Sequence, residues 1–135
     1  MKQVEHIGIA VKDLAVSVPL FEKLMNSICY KTETVNSEQV KTAFLKTGET
    51  KIELVQSLTN DGVISKFIEK KGEGLHHIAF EVEDIRAEMK RLKAEGFVLL
   101  SEEPKSGADN KLVCFLHPKN TNGVLIEICQ EKTSS

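Results

Sequence analysis

The sequence predicts an α+β fold in which two copies of one βαβββ module form a curved mixed sheet, with the helices outside and a cavity inside. Two observations support this. Residues 4–11 (VEHIGIAV) and 75–82 (LHHIAFEV) share a His, an Ile, a small residue, an apolar residue and a Val in the same order. Residues 47–54 and 120–128 each run from a Gly-containing turn into an apolar segment that contains a Glu. A repeat of about half the chain indicates two supersecondary modules, not a solenoid.

The repeat places one His and one Glu in each half. His6 aligns with His77 at an offset of 77 − 6 = 71 residues, and Glu53 aligns with Glu127 at 127 − 53 = 74. Side chains alternate between the two faces of a strand, so His6 and His77 take the cavity face, whereas His76 takes the apolar face. A carboxylate within an apolar strand is costly to bury unless it is paired or binds a metal. The four aligned residues are therefore candidate metal ligands.

The first module begins with a strand at residues 4–11, followed by a helix whose apolar stripe ends near Asn26. Asp13 and Ser17 are both possible N-caps of this helix. We favour Ser17, because Pro19 then falls in the first turn, where its missing N–H costs little. Alternating apolar residues predict three further strands, at residues 28–35, 40–46 and 51–56.

A linker with a short amphipathic helix joins the modules. The second module then repeats the order, with a strand at residues 75–82 and a helix at 85–95 that is capped by Asp84 and closed by Gly96. Three strands follow, at residues 97–100, 111–116 and 124–130, and residues 102–110 form a loop. The whole chain reads as a single domain, residues 1–135, with module one at about 1–57, the linker at 58–74 and module two at 75–131.

Composition excludes several classes of protein. The 135 residues carry a net charge of −2 without a Lys/Arg block, which argues against a nucleic-acid partner. There is no apolar run of membrane-spanning length and no signal peptide, so we expect a cytoplasmic protein that does not bind membranes. Three cysteines without CxxC spacing fit reduced thiols in the cytosol.

Several motifs resemble the vicinal oxygen chelate (glyoxalase/bleomycin resistance) superfamily. Its methylmalonyl-CoA epimerase branch is the most similar, through the segments TKIEL (50–54), GLHHI (74–78), SEEPKSG (101–107), FLHPK (115–119) and GVLIE (123–127). The resemblance implies that His6, Glu53, His77 and Glu127 ligate a divalent metal ion. Two imidazoles and two carboxylates suit Co, Mn, Ni, Zn or Fe, and are too rich in nitrogen for a Ca²⁺ site.

The resemblance also implies a reaction, the R/S interconversion of methylmalonyl-CoA. The α-proton leaves, a metal ion stabilises the enolate, and a proton returns to the other face. Such a reaction by two bases needs a proton acceptor on each side of the α-carbon. Glu127 is implied as one acceptor, and Glu53 is a candidate for the other. Some family members carry a second Glu on the third strand, where this chain has Thr42; the nearest acid in sequence is Glu38, in the preceding turn.

The substrate would be an acyl-CoA, and the family implies a homodimer. Surface lysines could contact the CoA phosphates, and the polar loop that contains Ser106, Gly107 and Asn110 could contact the substrate or only turn the chain. The candidate substrate-binding residues are Thr42, Lys105, Ser106, Gly107 and Lys111, with Lys119 as a further lysine of the same kind.

Structural roles account for other polar residues. We interpret His76 and His117 as structural, and Glu5 and Glu81 as solvent-facing residues of an edge strand. Two alternative functions stay open: a lactoylglutathione lyase acting on a glutathione hemithioacetal, and a metal-free antibiotic-binding module. Retention of all four candidate ligands argues against the metal-free module, because buried carboxylates without a ligand are expensive.

Overall fold

The chain forms two compact units in a computed structural model that describes residues 1–133. The N-terminal unit comprises His6–His76, and the C-terminal unit comprises Met1–Glu5 together with residues 77–133. The division falls within the first strand, β1 (Gln3–Ala10), so the first residues of that strand belong to the C-terminal unit.

The N-terminal unit contains the part of β1 from His6 onwards, three further strands and two helices. They follow in the order α1 (Leu14–Met25), β2 (Lys31–Val35), β3 (Val40–Thr47), β4 (Thr50–Ser57) and α2 (Val63–Lys71). The strands lie in the order β2-β3-β4-β1; β1 and β4 are parallel, and the other neighbours are antiparallel. Alternate residues of β1, β3 and β4 pack against α1 on one face of the sheet: Ile9, Ala43, Leu45, Ile52 and Leu54.

Helix α1 begins earlier than predicted. Asp13 is the N-cap, and its side chain accepts a hydrogen bond from the Ala15 amide at 2.9 Å. The choice of Ser17 was therefore wrong, and Pro19 lies inside the helix. The capping carboxylate and a hydrogen bond from the Leu14 amide to Gln56 Oε1 (2.7 Å) fix the start of the helix. Its end needs no glycine, because Asn26 adopts the left-handed conformation with φ 50°.

The C-terminal unit repeats this organisation. Its elements are β5 (Gly74–Glu81), whose first three residues belong to the N-terminal unit, α3 (Ile85–Ala94), β6 (Lys105–Ser106), β7 (Lys111–Leu116) and β8 (Ile126–Glu131), with a 3₁₀ turn at Pro118–Asn120. The strand order is β5-β8-β7-β6, with β5 and β8 parallel. Side chains of α3, β7 and β8 form one apolar core. As predicted, Asp84 caps α3, accepting from the Ala87 amide at 3.1 Å.

Two predictions for this unit were wrong. Residues 97–100 form an isolated bridge, Leu99 with Leu116, instead of a strand. The predicted loop at 102–110 contains β6, which pairs with β7. Gly107 allows this close approach, because a Cβ at that position would lie 2.9 Å from Val113 Cγ1.

The parallel strand pairs of the two units have the same register. Gly8 faces Glu53 between β1 and β4, and Ala79 faces Glu127 between β5 and β8. The offsets are 79 − 8 = 71 and 127 − 53 = 74, the values found for the aligned His and Glu residues. The sequence repeat is therefore also a repeat of strand pairing. Among the described residues, no helix is both long and apolar enough to cross a bilayer.

Candidate metal centre

The first candidate pair, His6 and Glu53, lies within the N-terminal unit. His6 Nδ1 is 3.2 Å from Glu53 Oε2. Both residues are buried, each with 5% of its surface exposed. The register of Gly8 with Glu53 places His6, two residues earlier in β1, on the same face as Glu53. Neighbouring parallel strands thus supply one nitrogen and one oxygen donor.

The second pair, His77 and Glu127, lies within the C-terminal unit. His77 Nε2 is 3.4 Å from Glu127 Oε1, and both side chains are buried. The ring of Phe115 meets the His77 imidazole edge-on, with 5.7 Å between the ring centroids. The aromatic contact limits the orientations open to the imidazole.

Each glutamate also faces a phenylalanine across an antiparallel strand pair. Phe44 faces Glu53, and Phe115 faces Glu127. Our reading of the sequence missed these residues, although their offset, 115 − 44 = 71, equals that of the histidines. Phe44 is completely buried, and the Lys31 ammonium group lies 4.5 Å from its ring centroid. An apolar ring beside each carboxylate restricts access of water to it.

The donor set suits a divalent first-row metal ion. Two cis ligands at about 2.1 Å from an octahedral ion would lie about 3 Å apart, close to the N–O separation within each pair. Imidazole nitrogen combined with carboxylate oxygen is a donor set that Zn, Fe, Co, Ni and Mn accept. Each pair therefore has the chemistry and spacing of two ligands of one ion.

The predicted substrate-binding residues have different environments. Lys105 and Ser106 form β6 and are exposed, Gly107 follows them, and Lys119 is exposed in the 3₁₀ turn. Lys111 is not a surface lysine. Only 6% of its surface is exposed, and its role in substrate binding stays a prediction.

Glu5 is buried as well, which corrects its assignment as a solvent-facing residue. Its Oε2 lies 3.9 Å from Lys111 Nζ. Glu5 and His6 are consecutive and both buried, which breaks the alternation of a regular strand, so periodicity could not have found Glu5. Glu81 is partly exposed and pairs with Lys2 at 3.4 Å.

Thr42 is buried, and the acid nearest to it in the sheet is not Glu38. Glu33 on β2 directly faces Thr42 on β3, whereas Glu38 is exposed in the turn between these strands. Cross-strand neighbours share a face of the sheet, so Glu33 and Thr42 point to the same side. This proximity depends on strand register, which the sequence alone did not define.

His76 and His117 have environments that fit structural roles. His76 packs edge-on against Phe67, with 4.9 Å between the ring centroids, and burial lowers its pKa. His117 caps the 3₁₀ turn, because its Nδ1 accepts a hydrogen bond from the Lys119 amide at 3.0 Å.

Comparison with known proteins supports the resemblance seen in the sequence. Residues 5–115 match the family model described as the glyoxalase/bleomycin resistance protein/dioxygenase superfamily. The chain belongs to this superfamily. The prediction of the superfamily is confirmed, and so is the α+β fold class.

Its relatives in this superfamily include several epimerases. An ethylmalonyl-CoA/methylmalonyl-CoA epimerase from Cereibacter sphaeroides is 40% identical over 130 residues, which are 95% of this chain and 97% of the relative. The structure of methylmalonyl-CoA epimerase from Mycobacterium tuberculosis matches with a TM-score of 0.92 at 32% identity, covering 97% of this chain and 89% of that one. A methylmalonyl-CoA epimerase in complex with methylmalonyl-CoA and NH4+ matches with a TM-score of 0.92 at 30% identity, covering 98% and 96%.

Proposed function

We propose that this superfamily member is a methylmalonyl-CoA epimerase, which interconverts the R and S epimers of its substrate by removing and returning the α-proton. The observation that carries the proposal is the buried His–Glu pair that occurs twice at the same strand register. Epimerases of methylmalonyl-CoA among its relatives, at 30–40% identity over nearly the whole chain, support the choice of reaction.

The four candidate metal ligands that the sequence resemblance implies keep that role in this proposal. The four ligands are His6, Glu53, His77 and Glu127, and the ion is Co, Mn, Ni, Zn or Fe. When bound, it supplies Lewis-acid stabilisation of the negative charge that develops as the α-proton leaves. Because the donors are buried and each glutamate lies beside a phenylalanine, little water would screen the attraction between the bound ion and that negative charge.

The chain's carboxylates move the proton. Glu127 accepts the α-proton on one face of the substrate, and Glu53 serves the opposite face, because inversion needs one acceptor on each side. Thr42 takes a substrate-contacting role, since a hydroxyl group cannot act as a base of comparable strength. With Glu53 as the second proton acceptor, the reaction does not need the third-strand Glu of some family members, which is Thr42 in this chain.

The remaining contacts bind the acyl-CoA. Exposed Lys105 and Lys119 have the charge and accessibility needed to meet phosphate groups, and Ser106 and Gly107 lie beside Lys105. A homodimer, which the sequence resemblance predicts, and a cytoplasmic location, which the composition predicts, complete the proposal.

Two measurements on the purified protein test this function. Metal analysis should give one ion per chain, because two ions per chain would mean that each pair binds separately. Incubation with methylmalonyl-CoA in D₂O should place deuterium at the α-carbon, and the exchange should stop after chelation and return on adding Co²⁺ or Mn²⁺.

A parallel assay with the hemithioacetal of glutathione and methylglyoxal separates the alternatives. Turnover of the hemithioacetal without exchange into methylmalonyl-CoA would identify a lactoylglutathione lyase. Absence of both activities, together with absence of bound metal, would point to the antibiotic-binding module and end the proposal.

A further inference from the structure

Lys111 is a buried lysine whose charged partner lies beyond hydrogen-bonding distance. An ammonium group has three hydrogen-bond donors, and its bonds to oxygen normally measure about 2.7–3.2 Å. Among the described residues, its ion-pair partner is Glu5 Oε2 at 3.9 Å, which is beyond that range. Burying an ammonium group is costly unless its donors are satisfied. We infer that Lys111 binds the free carboxylate of the substrate's acyl group, an inference that rests on the proposed epimerase function.

The position of Lys111 in the sheet supports this role. Register between β7 and β8 places Phe115 opposite Glu127 and Val113 opposite Cys129, so Lys111 lies on the same face as Glu127. Cys129 is the next residue after Glu127 on this face, about 7 Å along the strand. A carboxylate oxygen of Glu5, the partner of Lys111, lies within 4.8 Å of Cys129 Sγ. The charged pair thus lies beside the position that follows Glu127 on this face of the sheet.

The N-terminal unit shows that the fold does not require a charge at this position. The residue equivalent to Lys111 is at 111 − 71 = 40, which is Val40. Val40 packs with Ala10, Val55 and Ile64 in an apolar cluster beneath α2. The same strand position is therefore stable with an apolar side chain, and packing alone gives no reason for a lysine.

A carboxylate fits this lysine better than a phosphate does. A malonyl-type thioester carries its free carboxylate on the reacting carbon, whereas the CoA phosphates lie at the far end of an extended chain. Lys111 is buried on the face of Glu127, and Lys105, which faces Val113 on the same side of the sheet, is exposed. The buried lysine is accordingly the group that selects dicarboxylic acyl thioesters over neutral ones.

Calorimetric binding of two ligands that have no α-stereocentre, and so cannot be epimerised, tests the inference. Malonyl-CoA carries the carboxylate and propionyl-CoA lacks it, so their affinity ratio isolates this contact. Lys111→Met keeps most of the side-chain volume and should weaken malonyl-CoA binding by about 10- to 100-fold, as expected for a hydrogen bond to a charged group. Propionyl-CoA affinity should change by less than about 3-fold, because its contacts remain.

Glu5→Gln separates ligand recognition from a structural ion pair. It removes the competing carboxylate, so malonyl-CoA should bind as tightly as to the wild type, or more tightly. A merely structural pair would make Glu5→Gln behave like Lys111→Met. If Lys111→Met fails to fold because the buried Glu5 loses this ion pair, the double variant Glu5→Gln/Lys111→Met replaces it, and the same loss of discrimination is expected.

Lys2→Met is the matched control. Lys2 belongs to the same N-terminal segment as Glu5 and pairs with Glu81 at 3.4 Å, but the Lys2 side chain is 56% exposed. Its affinity ratio should equal that of the wild type. The inference is overturned if Lys111→Met weakens both thioesters equally or neither. In that case the inference about Lys111 fails, while deuterium exchange in the wild type still supports the epimerase function. If the wild type shows neither exchange nor thioester binding, both the inference and the proposed function are overturned.

Discussion

The two His–Glu pairs share their strand register but differ in what lies beside them. In the N-terminal unit, the face that carries Glu53 continues into the apolar cluster of Val40 and Val55, covered by α2. In the C-terminal unit, the face that carries Glu127 continues to Cys129 and the buried pair of Glu5 and Lys111. The repeat thus preserves the donors, while the neighbouring positions have diverged. We interpret the first half as closed by packing and the second as specialised for a charged ligand.

The phenylalanines beside the two pairs have also acquired different contacts. Phe115 meets the His77 ring edge-on, whereas Phe44 carries the Lys31 ammonium group on its face and lies 6.2 Å from Tyr30 between ring centroids. The positive charge near Phe44 lowers the potential energy of an anion on that side. The two glutamates therefore have different electrostatic surroundings, and we expect them to differ in catalysis.

The largest effect should come from removing a histidine of one pair. His77→Ala should abolish metal binding, taking the metal content from one ion per chain to nearly none, because the pair loses its nitrogen donor. His76→Ala is the control on the adjacent position; it should keep the metal and lose about 1–3 kcal/mol of unfolding free energy through lost packing against Phe67. Metal analysis and thermal unfolding measure the two effects, and the reverse pattern would overturn the assignment of His77.

The next prediction compares the glutamates. Glu127→Gln should slow deuterium exchange into methylmalonyl-CoA by about 10²- to 10⁴-fold, the usual contribution of a general base. Glu53→Gln should slow epimerisation to a similar extent. It should permit more deuterium exchange of the α-proton than Glu127→Gln does, because Glu127 still serves its own face of the substrate. Glu81→Gln, on a partly exposed carboxylate of the same unit, should leave the rate unchanged. Equal rates in all three variants would show that neither buried glutamate moves the proton.

The smallest effect concerns pH and His76. Burial lowers the pKa of His76 from its ordinary value of 6.5 in the folded state, so the unfolded chain takes up this proton at a higher pH. The contribution of the neutral imidazole to the free energy of unfolding is therefore complete above the unfolded-state pKa of 6.5. It is lost as the pH falls from there towards the lowered pKa of the folded state. Melting temperatures between pH 8 and 5 should therefore fall less steeply for His76→Phe, which retains an aromatic ring beside Phe67. Identical pH profiles would show that His76 makes no such contribution.

The repeat allowed much of the candidate site to be predicted. Two segments of similar pattern, together with the alternation of strands, selected His6 over its neighbours and His77 over His76. The structure then placed each histidine within 3.4 Å of the glutamate from its own half. Residue type and spacing were sufficient here, because a parallel strand pair with a fixed register brings equivalent positions together.

Local rules failed where several weak signals compete. Both Asp13 and Ser17 are good N-caps, and Pro19 favoured the wrong one. The bond between the Leu14 amide and Gln56, 42 residues away, helps to fix the helix start, and no local pattern contains it. The short strand β6 likewise depends on Gly107 fitting against Val113.

The sequence by itself determined the superfamily, the duplicated module and the four candidate ligands, because these depend on residue type and on periodicity within short segments. Only the tertiary structure decided that Glu5 and Lys111 are buried together and that Glu33 faces Thr42. Each of these contacts joins residues on different strands. Burial and register across strands arise from the packing of the whole unit, which alternation along one strand does not specify.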